Sequence, residues 1–291
     1  MASVNLNCPN LTTLKDYDIQ VLIGQGAFGI VQRGVKKETN IKVALKQYEK
    51  SKLLQDSSRV EALKKEIDIL GRLDHPGIMK FHDAIDSGNK VSIVVEYING
   101  NNLYQYIRKM HGSRMQDENE IKVIFKKIVE SVKYMHEQNV VHRDIKLENI
   151  LLDRDSKQTK LIDFGFSTRV NNAQETKLNF FCGTPIYMSP EIVSKKEYIG
   201  GASDIWALGV ILYILLTGKM PFHGTFEDDL FRKISQCKYK WPDFLTDKNN
   251  QVVELSNGAK ALVRKILVQD QKQRLTADQI LNDRWLNKTK L

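Results

Sequence analysis

The segment His142-Arg143-Asp144-Ile145-Lys146-Leu147-Glu148-Asn149, with Asp163-Phe164-Gly165 following, constrains this chain more than any other feature. It sets an acid able to orient a hydroxyl, a lysine, and two oxygen ligands suited to magnesium within one stretch: Asp144, Lys146, Asn149 and Asp163. Those are the parts needed to move a phosphoryl group from ATP to an alcohol. Neither motif is specific alone. In this order and spacing they are hard to produce by chance, and any fold must bring them to one place.

The remaining parts lie upstream. Gly24-Gln25-Gly26-Ala27-Phe28-Gly29-Ile30-Val31 reads as a glycine-rich turn between two β-like runs, where backbone N–H groups can approach phosphate oxygens. Dinucleotide-binding folds use the same glycine spacing, but before a helix; here residues 30–36 read as a strand. Val43-Ala44-Leu45-Lys46 is an apolar run ending in a lysine that can grip phosphates if a carboxylate holds it. From Arg59 to Leu73, Val60, Leu63, Ile67 and Leu70 mark one face of a helix, with Glu66 beside that face. A lone helical glutamate is ordinarily a solvated charge. Its place among these motifs makes it the expected partner of Lys46.

In these motifs and their order, the chain resembles the eukaryotic protein kinase catalytic domain from about Tyr17 to Leu286. Gly183-Thr184-Pro185, Ser189-Pro190-Glu191, Asp204-Ile205-Trp206-Ala207-Leu208-Gly209 and Arg274 extend the match. The resemblance implies an α+β, bilobal fold: a small β-rich N-lobe with one main helix over residues 17–96, a hinge near 96–101, and a larger, mainly helical C-lobe over 102–286. Residues 1–16 are then a short lead and 287–291 a tail.

The resemblance also assigns roles. Asp144 would accept the substrate hydroxyl's hydrogen bond, and Lys146 would neutralise the migrating phosphoryl group. Thr184 would bond both, and Asn149 and Asp163 would hold Mg2+. Lys46, paired with Glu66, would bind phosphates of ATP. The nucleotide would further meet Ile23, Gly24, Gln25, Gly26, Ala27, Phe28 and Gly29. Val31, Ala44 and Leu151 would sandwich its adenine, and the hinge would contribute Val95, Glu96 and Ile98. Glu191 would pair with Arg274, and Asp204 would brace the catalytic loop. His142 would pack with Phe164, Leu70 and Phe81 rather than act as a base. Val95, a small gatekeeper, implies an enlarged rear pocket. Lys146 and Gly183-Thr184-Pro185 mark the serine/threonine type, and residues 209–216 with Pro221-Phe222 and Asp283-Arg284-Trp285-Leu286 resemble the calcium/calmodulin-dependent kinase-like group.

Composition sets limits. The 291 residues, 42% hydrophobic and 27% charged, suit two lobes of a globular protein. The apolar run 205–216 is short for a membrane span and contains Gly209, so it reads as a buried central helix. Met1-Ala2-Ser3 lacks the basic and apolar regions of a secretion signal, and the cytosol or nucleus is the expected location. Cys8, Cys182 and Cys237 form neither a disulfide framework nor a zinc pattern; Cys182 reads as a packing residue, with a redox switch as the sharper alternative. The net charge of +9 comes from scattered lysines, which favours acidic partners over nucleic acid. ATP and protein substrates are the expected partners, with no membrane and a monomeric state. The chain stops five residues past Leu286, so no regulatory tail is expected.

Two departures from the family pattern stand out. The usual phosphorylatable threonine of the activation segment is replaced by Phe180, although the arginine that would pair with its phosphate is kept as Arg143. Thr176 is the substitute acceptor to weigh. Relatives that favour upstream basic residues often carry an acid after the hinge, where this chain has Asn102, and a second acid, kept here as Glu148. A modest preference for upstream Arg or Lys is expected. The alternative of another class is a pseudokinase scaffold, whose signature would be loss of Lys46, Asp144, Asn149 or Asp163; none is lost. A nucleotide-dependent dehydrogenase is disfavoured by the strand after the glycines.

Overall fold

The computed structural model describes residues 13–26, 29–110, 112 and 114–287. Ala27 and Phe28 of the glycine turn, and Cys8, lie outside the described residues. The chain divides into two compact units between Asn99 and Gly100.

In the first unit, β1 (Tyr17–Gln25), β2 (Gly29–Lys36), β3 (Lys42–Glu49), β4 (Phe81–Ser87) and β5 (Lys90–Glu96) form an antiparallel sheet of order β1-β2-β3-β5-β4. Alternation along β3 divides the work of its side chains. Val43 and Leu45 join Tyr17, Ile85 and Val94 in an apolar cluster. Lys46 and Tyr48, out of phase with Leu45 by one and three residues, instead reach a helix carboxylate. Gly29 is required by the sheet itself: a Cβ there would lie 2.0 Å from the Gln47 carbonyl oxygen on β3. At Gly26 the nearest atom to such a Cβ is 3.9 Å away, so that backbone stays open.

After β3 come a short turn of helix, α1 (Lys50–Leu53), and the longer α2 (Ser57–Leu70). The apolar face predicts a helix over 59–73; α2 starts earlier because Asp56 caps it, accepting the Ser58 N–H at 2.9 Å. It ends at Leu70 because Gly71 closes the last turn. Leu63, Glu66, Ile67, Ile69 and Leu70 are buried, so Glu66 sits on the covered face of the helix.

The second unit opens with β6 (Gly100–Asn102), α3 (Leu103–Arg108), α4 (Glu118–Glu137) and β7 (Val140–Val141). The stripe Ile121, Ile124, Phe125, Ile128, Val132 and Met135 on α4 is buried core. The pair β8 (Ile150–Asp153) and β9 (Thr159–Leu161) joins β6 in a small sheet, and β10 (Thr168–Arg169) pairs with β7. Next come β11 (Lys177–Leu178), α5 (Pro190–Val193), β12 (Tyr198–Ile199) and α6 (Gly200–Thr217), with β11 and β12 paired. All of α6 is buried within its unit, so its apolar run is the core of the domain.

The chain closes with α7 (Glu227–Ser235), the hairpin β13 (Leu245–Thr246) and β14 (Val252–Val253), α8 (Asn257–Ile266), α9 (Ala277–Leu281) and α10 (Arg284–Asn287). The stretch 277–287 is broken into two helices. Asn282 caps α9, and Asp283 accepts the Trp285 N–H at 2.9 Å to start the next turn. Glu118, at the start of α4, ties these distant elements together. It accepts the Ser256 N–H at 2.8 Å, the Ser256 hydroxyl at 2.7 Å and the Trp285 indole N–H at 3.0 Å.

Candidate active site

The sequence-predicted residues fall into two groups, one in each unit. In the first unit Lys46 Nζ lies 2.9 Å from Glu66 Oε1, and the Tyr48 hydroxyl donates to Oε2 at 3.3 Å. Glu66 is 4% exposed and the Lys46 side chain 30%, so the carboxylate is fixed inside while the ammonium stays reachable. A buried carboxylate is tolerated only with such partners. Tyr48 was not anticipated; its two-residue spacing from Lys46 on β3 is the signal that places both on one side.

In the second unit the catalytic-loop residues interlock. Asp144 Oδ1 accepts the Thr184 hydroxyl at 2.8 Å, and Oδ2 accepts Lys146 Nζ at 2.7 Å and Asn149 Nδ2 at 3.2 Å. Lys146 also donates to Thr184 Oγ1 at 2.9 Å, and Asn149 Nδ2 to the Asp144 carbonyl at 2.9 Å. Three residues from two segments thus hold one carboxylate in a single orientation. Gly183 makes that approach possible: its φ is +110°, and a Cβ would sit 2.8 Å from the Arg143 carbonyl oxygen.

Beneath the loop, Asp204 of α6 accepts the N–H groups of His142 and Arg143, both at 2.9 Å. It also bonds His136 Nε2 at 3.0 Å, and Gln174 reaches the other nitrogen of that ring at 3.2 Å. Arg143, held this way, has a φ of 66°, an uncommon conformation for a non-glycine residue. Asp163 shares it, with a φ of 62°. His142 is fully buried, its ring packed edge-on against Phe164 at 5.0 Å between centroids. It is placed to pack, not to take a proton.

A match to the protein kinase domain runs over residues 17–286. This chain belongs to the protein kinase domain family. The fission-yeast (Schizosaccharomyces pombe) SNF1-like protein kinase ssp2 is 37% identical over 271 residues, covering 93% of this chain and 44% of that protein. NUAK family SNF1-like kinase 1 of Homo sapiens is 38% identical over 272 residues, covering 93% of this chain and 38% of the relative. CBL-interacting protein kinase 25 of Oryza sativa is 34% identical over 283 residues, covering 96% and 53%. The chain therefore spans about half, or less, of the curated relatives it matches. These relatives are serine/threonine kinases of the calcium/calmodulin-dependent kinase-like group, which the motifs at 209–216 and 283–286 resemble.

In this kinase domain Arg143 of the catalytic loop contacts the activation segment directly. Arg143 Nε donates to the Phe166 carbonyl at 2.7 Å, and its guanidinium lies 5.8 Å from the centre of the Phe180 ring. The Tyr198 hydroxyl donates to the Phe180 carbonyl at 3.0 Å, and β11 pairs with β12. Thr176 accepts the Asn172 N–H at 3.0 Å through its own hydroxyl oxygen, so it closes a turn. Cys182 is buried, and burial pushes its thiol pKa up, which suits a packing residue.

The remaining predicted residues take these places. Val31 on β2 pairs with Lys46, and Ala44 on β3 with Val95, which is 5% exposed. Ile23, Gly24 and Gln25 end β1, and Ile23 is 45% exposed. Glu96 accepts the Lys80 N–H at 2.7 Å, and Ile98 is buried. In the second unit Leu151 on β8 pairs with Asn102. Asn102 caps α3, accepting the Gln105 N–H at 2.8 Å, which is a structural use for the residue that stands in place of the expected acid.

Proposed function

We propose that this domain transfers the γ-phosphoryl group of MgATP to serine and threonine hydroxyls of proteins, with a modest preference for an upstream basic residue. The observation that carries the reading is the cluster of Asp144, Lys146, Asn149 and Thr184, oriented on one carboxylate. Phosphoryl transfer has a loose transition state, so catalysis is mostly positioning and charge neutralisation. Asp144 would accept the acceptor hydroxyl's hydrogen bond and take its proton late. Lys146, already placed between Asp144 and Thr184, would neutralise the transferring group. Lys46, steadied by Glu66, would bind the α- and β-phosphates, with the residues of the glycine turn around them.

Magnesium fits the donors present. Asn149 spends its amide N–H groups on Asp144, which leaves its oxygen as the donor, and Asp163 offers a carboxylate; both are hard oxygen ligands. Magnesium would supply neutralisation of phosphate charge. Among the described residues no cluster of three or more His, Cys, Asp or Glu suggests another metal.

For specificity, the half-buried Glu148 of the catalytic loop is the acid available to meet a substrate cation. For regulation, the Phe180 ring and the Phe166 carbonyl occupy Arg143, where a phosphate would otherwise pair. Activity is therefore expected to survive phosphatase treatment. Phe180→Ala should lower kcat/KM by about two- to fivefold, the worth of an exposed cation–π contact. Activity lost on dephosphorylation and in Thr176→Ala would overturn this. The small Val95 is expected to admit bulky ATP-competitive inhibitors, and Val95→Met to weaken them while sparing ATP.

The deciding experiment is transfer from MgATP to a degenerate peptide library, with Asp144→Asn alongside. Turnover at Ser and Thr that falls by about a hundredfold or more in the variant supports the reading. An acidic or proline bias would reject the specificity argument. ATP binding without turnover would favour a scaffold.

A further inference from the structure

Away from the catalytic cluster, the second unit carries a groove of about 990 Å³ with an aromatic floor and a basic rim. Tyr213 of α6, 2% exposed, forms the base. Trp241 lies over it at 5.0 Å between centroids, tilted by 32°, and Tyr239 meets it edge-on at 5.8 Å. Tyr239 in turn packs on Phe222 at 5.8 Å, and Phe222 stacks on Trp206 at 5.5 Å. The Tyr213 hydroxyl donates to the Lys240 carbonyl at 2.6 Å, which pins the segment bearing Trp241 to α6. The floor is thus continuous with the core and preformed.

The rim differs from an ordinary solvated face. Arg232 and Lys233 are already engaged, with Asp229 at 2.5 and 2.9 Å. Lys219, Lys238 and Lys240 line the same groove, are exposed, and have no anionic partner among the described residues. Three uncompensated ammonium groups around part-covered rings match a ligand that brings both negative charge and apolar surface.

We propose that this groove docks an acidic peptide segment of a partner protein that inserts an apolar side chain onto Tyr239 and Trp241. The rings meet edge-on or tilted, an irregular floor that suits an aliphatic or aromatic side chain better than a row of stacked bases. The +9 net charge would speed the encounter with such a partner. The proposal goes beyond the phosphotransfer reading and does not depend on it.

The test is fluorescence anisotropy with the full chain and a fluorescein-labelled peptide, Glu-Glu-Asp-Leu-Glu-Glu-Phe-Glu-Asp. This probe has no side-chain hydroxyl, so it cannot be a phosphoryl acceptor. Saturable binding is expected at 0.1 M NaCl, unchanged in Asp144→Asn and weakened at 0.5 M NaCl. Lys238→Glu combined with Lys240→Glu should weaken it about tenfold or more, as should Trp241→Ala. The lysines are exposed, so the charge-reversal variant keeps the test valid if Trp241→Ala fails to fold. Turnover of a short peptide substrate should be unaffected by the charge reversal. The proposal is overturned by any of four results: no saturation, equal affinity in the charge-reversal variant, equal affinity for the peptide with Leu and Phe replaced by Gly, or displacement by an oligonucleotide in preference to excess unlabelled peptide.

Discussion

Asp204 shows how much one buried carboxylate can organise. It is 1% exposed, yet it accepts two consecutive backbone N–H groups of the catalytic loop and a histidine N–H. Those bonds keep Arg143 in its left-handed conformation and so direct the next residue, Asp144. Asp204→Asn would present an amide N–H₂ where an acceptor is needed. It should cost about 1–3 kcal/mol of stability, measured by chemical denaturation, and lower kcat more than it raises KM. The cysteines make a second residue-scale case. Burial raises the Cys182 thiol pKa and pushes that of Cys237 up to about 11, so neither is a ready thiolate at neutral pH. Both should react with iodoacetamide at pH 7.5 far more slowly in the native protein than after denaturation, read by mass spectrometry. Rapid native labelling of Cys182 would revive the redox alternative.

Among the elements, the contact of α4 with α8 and α10 through Glu118 has a defined pH signature. Burial alone would raise the Glu118 pKa, but the bonds from Ser256 and Trp285 outweigh it and leave the folded-state value below the usual 4.5. A depressed carboxylate pKa stabilises above the unfolded-state value, and the contribution disappears as pH falls through the folded-state value. Glu118→Gln should therefore cost about 1 kcal/mol near pH 7, a figure kept small because the side chain is part-exposed. The difference from the parent protein should vanish as pH drops below 4.5 in parallel urea titrations. The helices themselves were legible in advance: the stripe of α2 and the apolar run of α6 announce buried faces. Their ends were not. The boundaries of α2, and the break between α9 and α10, depend on caps by Asp56 and Asp283, and Asp and Asn are too common to mark an end on their own.

At the scale of the molecule, Arg274 and Glu191, 83 positions apart, form a bidentate pair at 2.9 and 3.1 Å. Arg274 also donates to the Ala202 and Val268 carbonyls and lies 5.1 Å from the Trp206 ring centre. Its guanidinium is fully buried, so removing either partner leaves an uncompensated charge in the core. Arg274→Ala should destabilise the second unit by about 3–5 kcal/mol, visible as a large drop in its thermal midpoint. Arg274→Lys should recover little, since an ammonium cannot reproduce the paired geometry. A midpoint unchanged in Arg274→Ala would show that the pair contributes no net stability.

Local chemistry was readable from the chain. A lysine closing an apolar strand, a glutamate beside an apolar helix face, and an acid, a lysine and two oxygen donors in close succession state what the residues can do. These properties depend only on residue type and near neighbours. The partners that hold those residues could not be read the same way. His136 and Gln174 behind Asp204, and the Phe180 ring over Arg143, are brought in by folding, from positions no local spacing singles out. The same is true of Gly29, which reads as a phosphate-loop glycine but is obligatory because β3 passes so close to it. Pattern arguments reach a few turns or one strand along the chain, whereas a carboxylate is positioned by whatever donor the fold carries to within 3 Å of it.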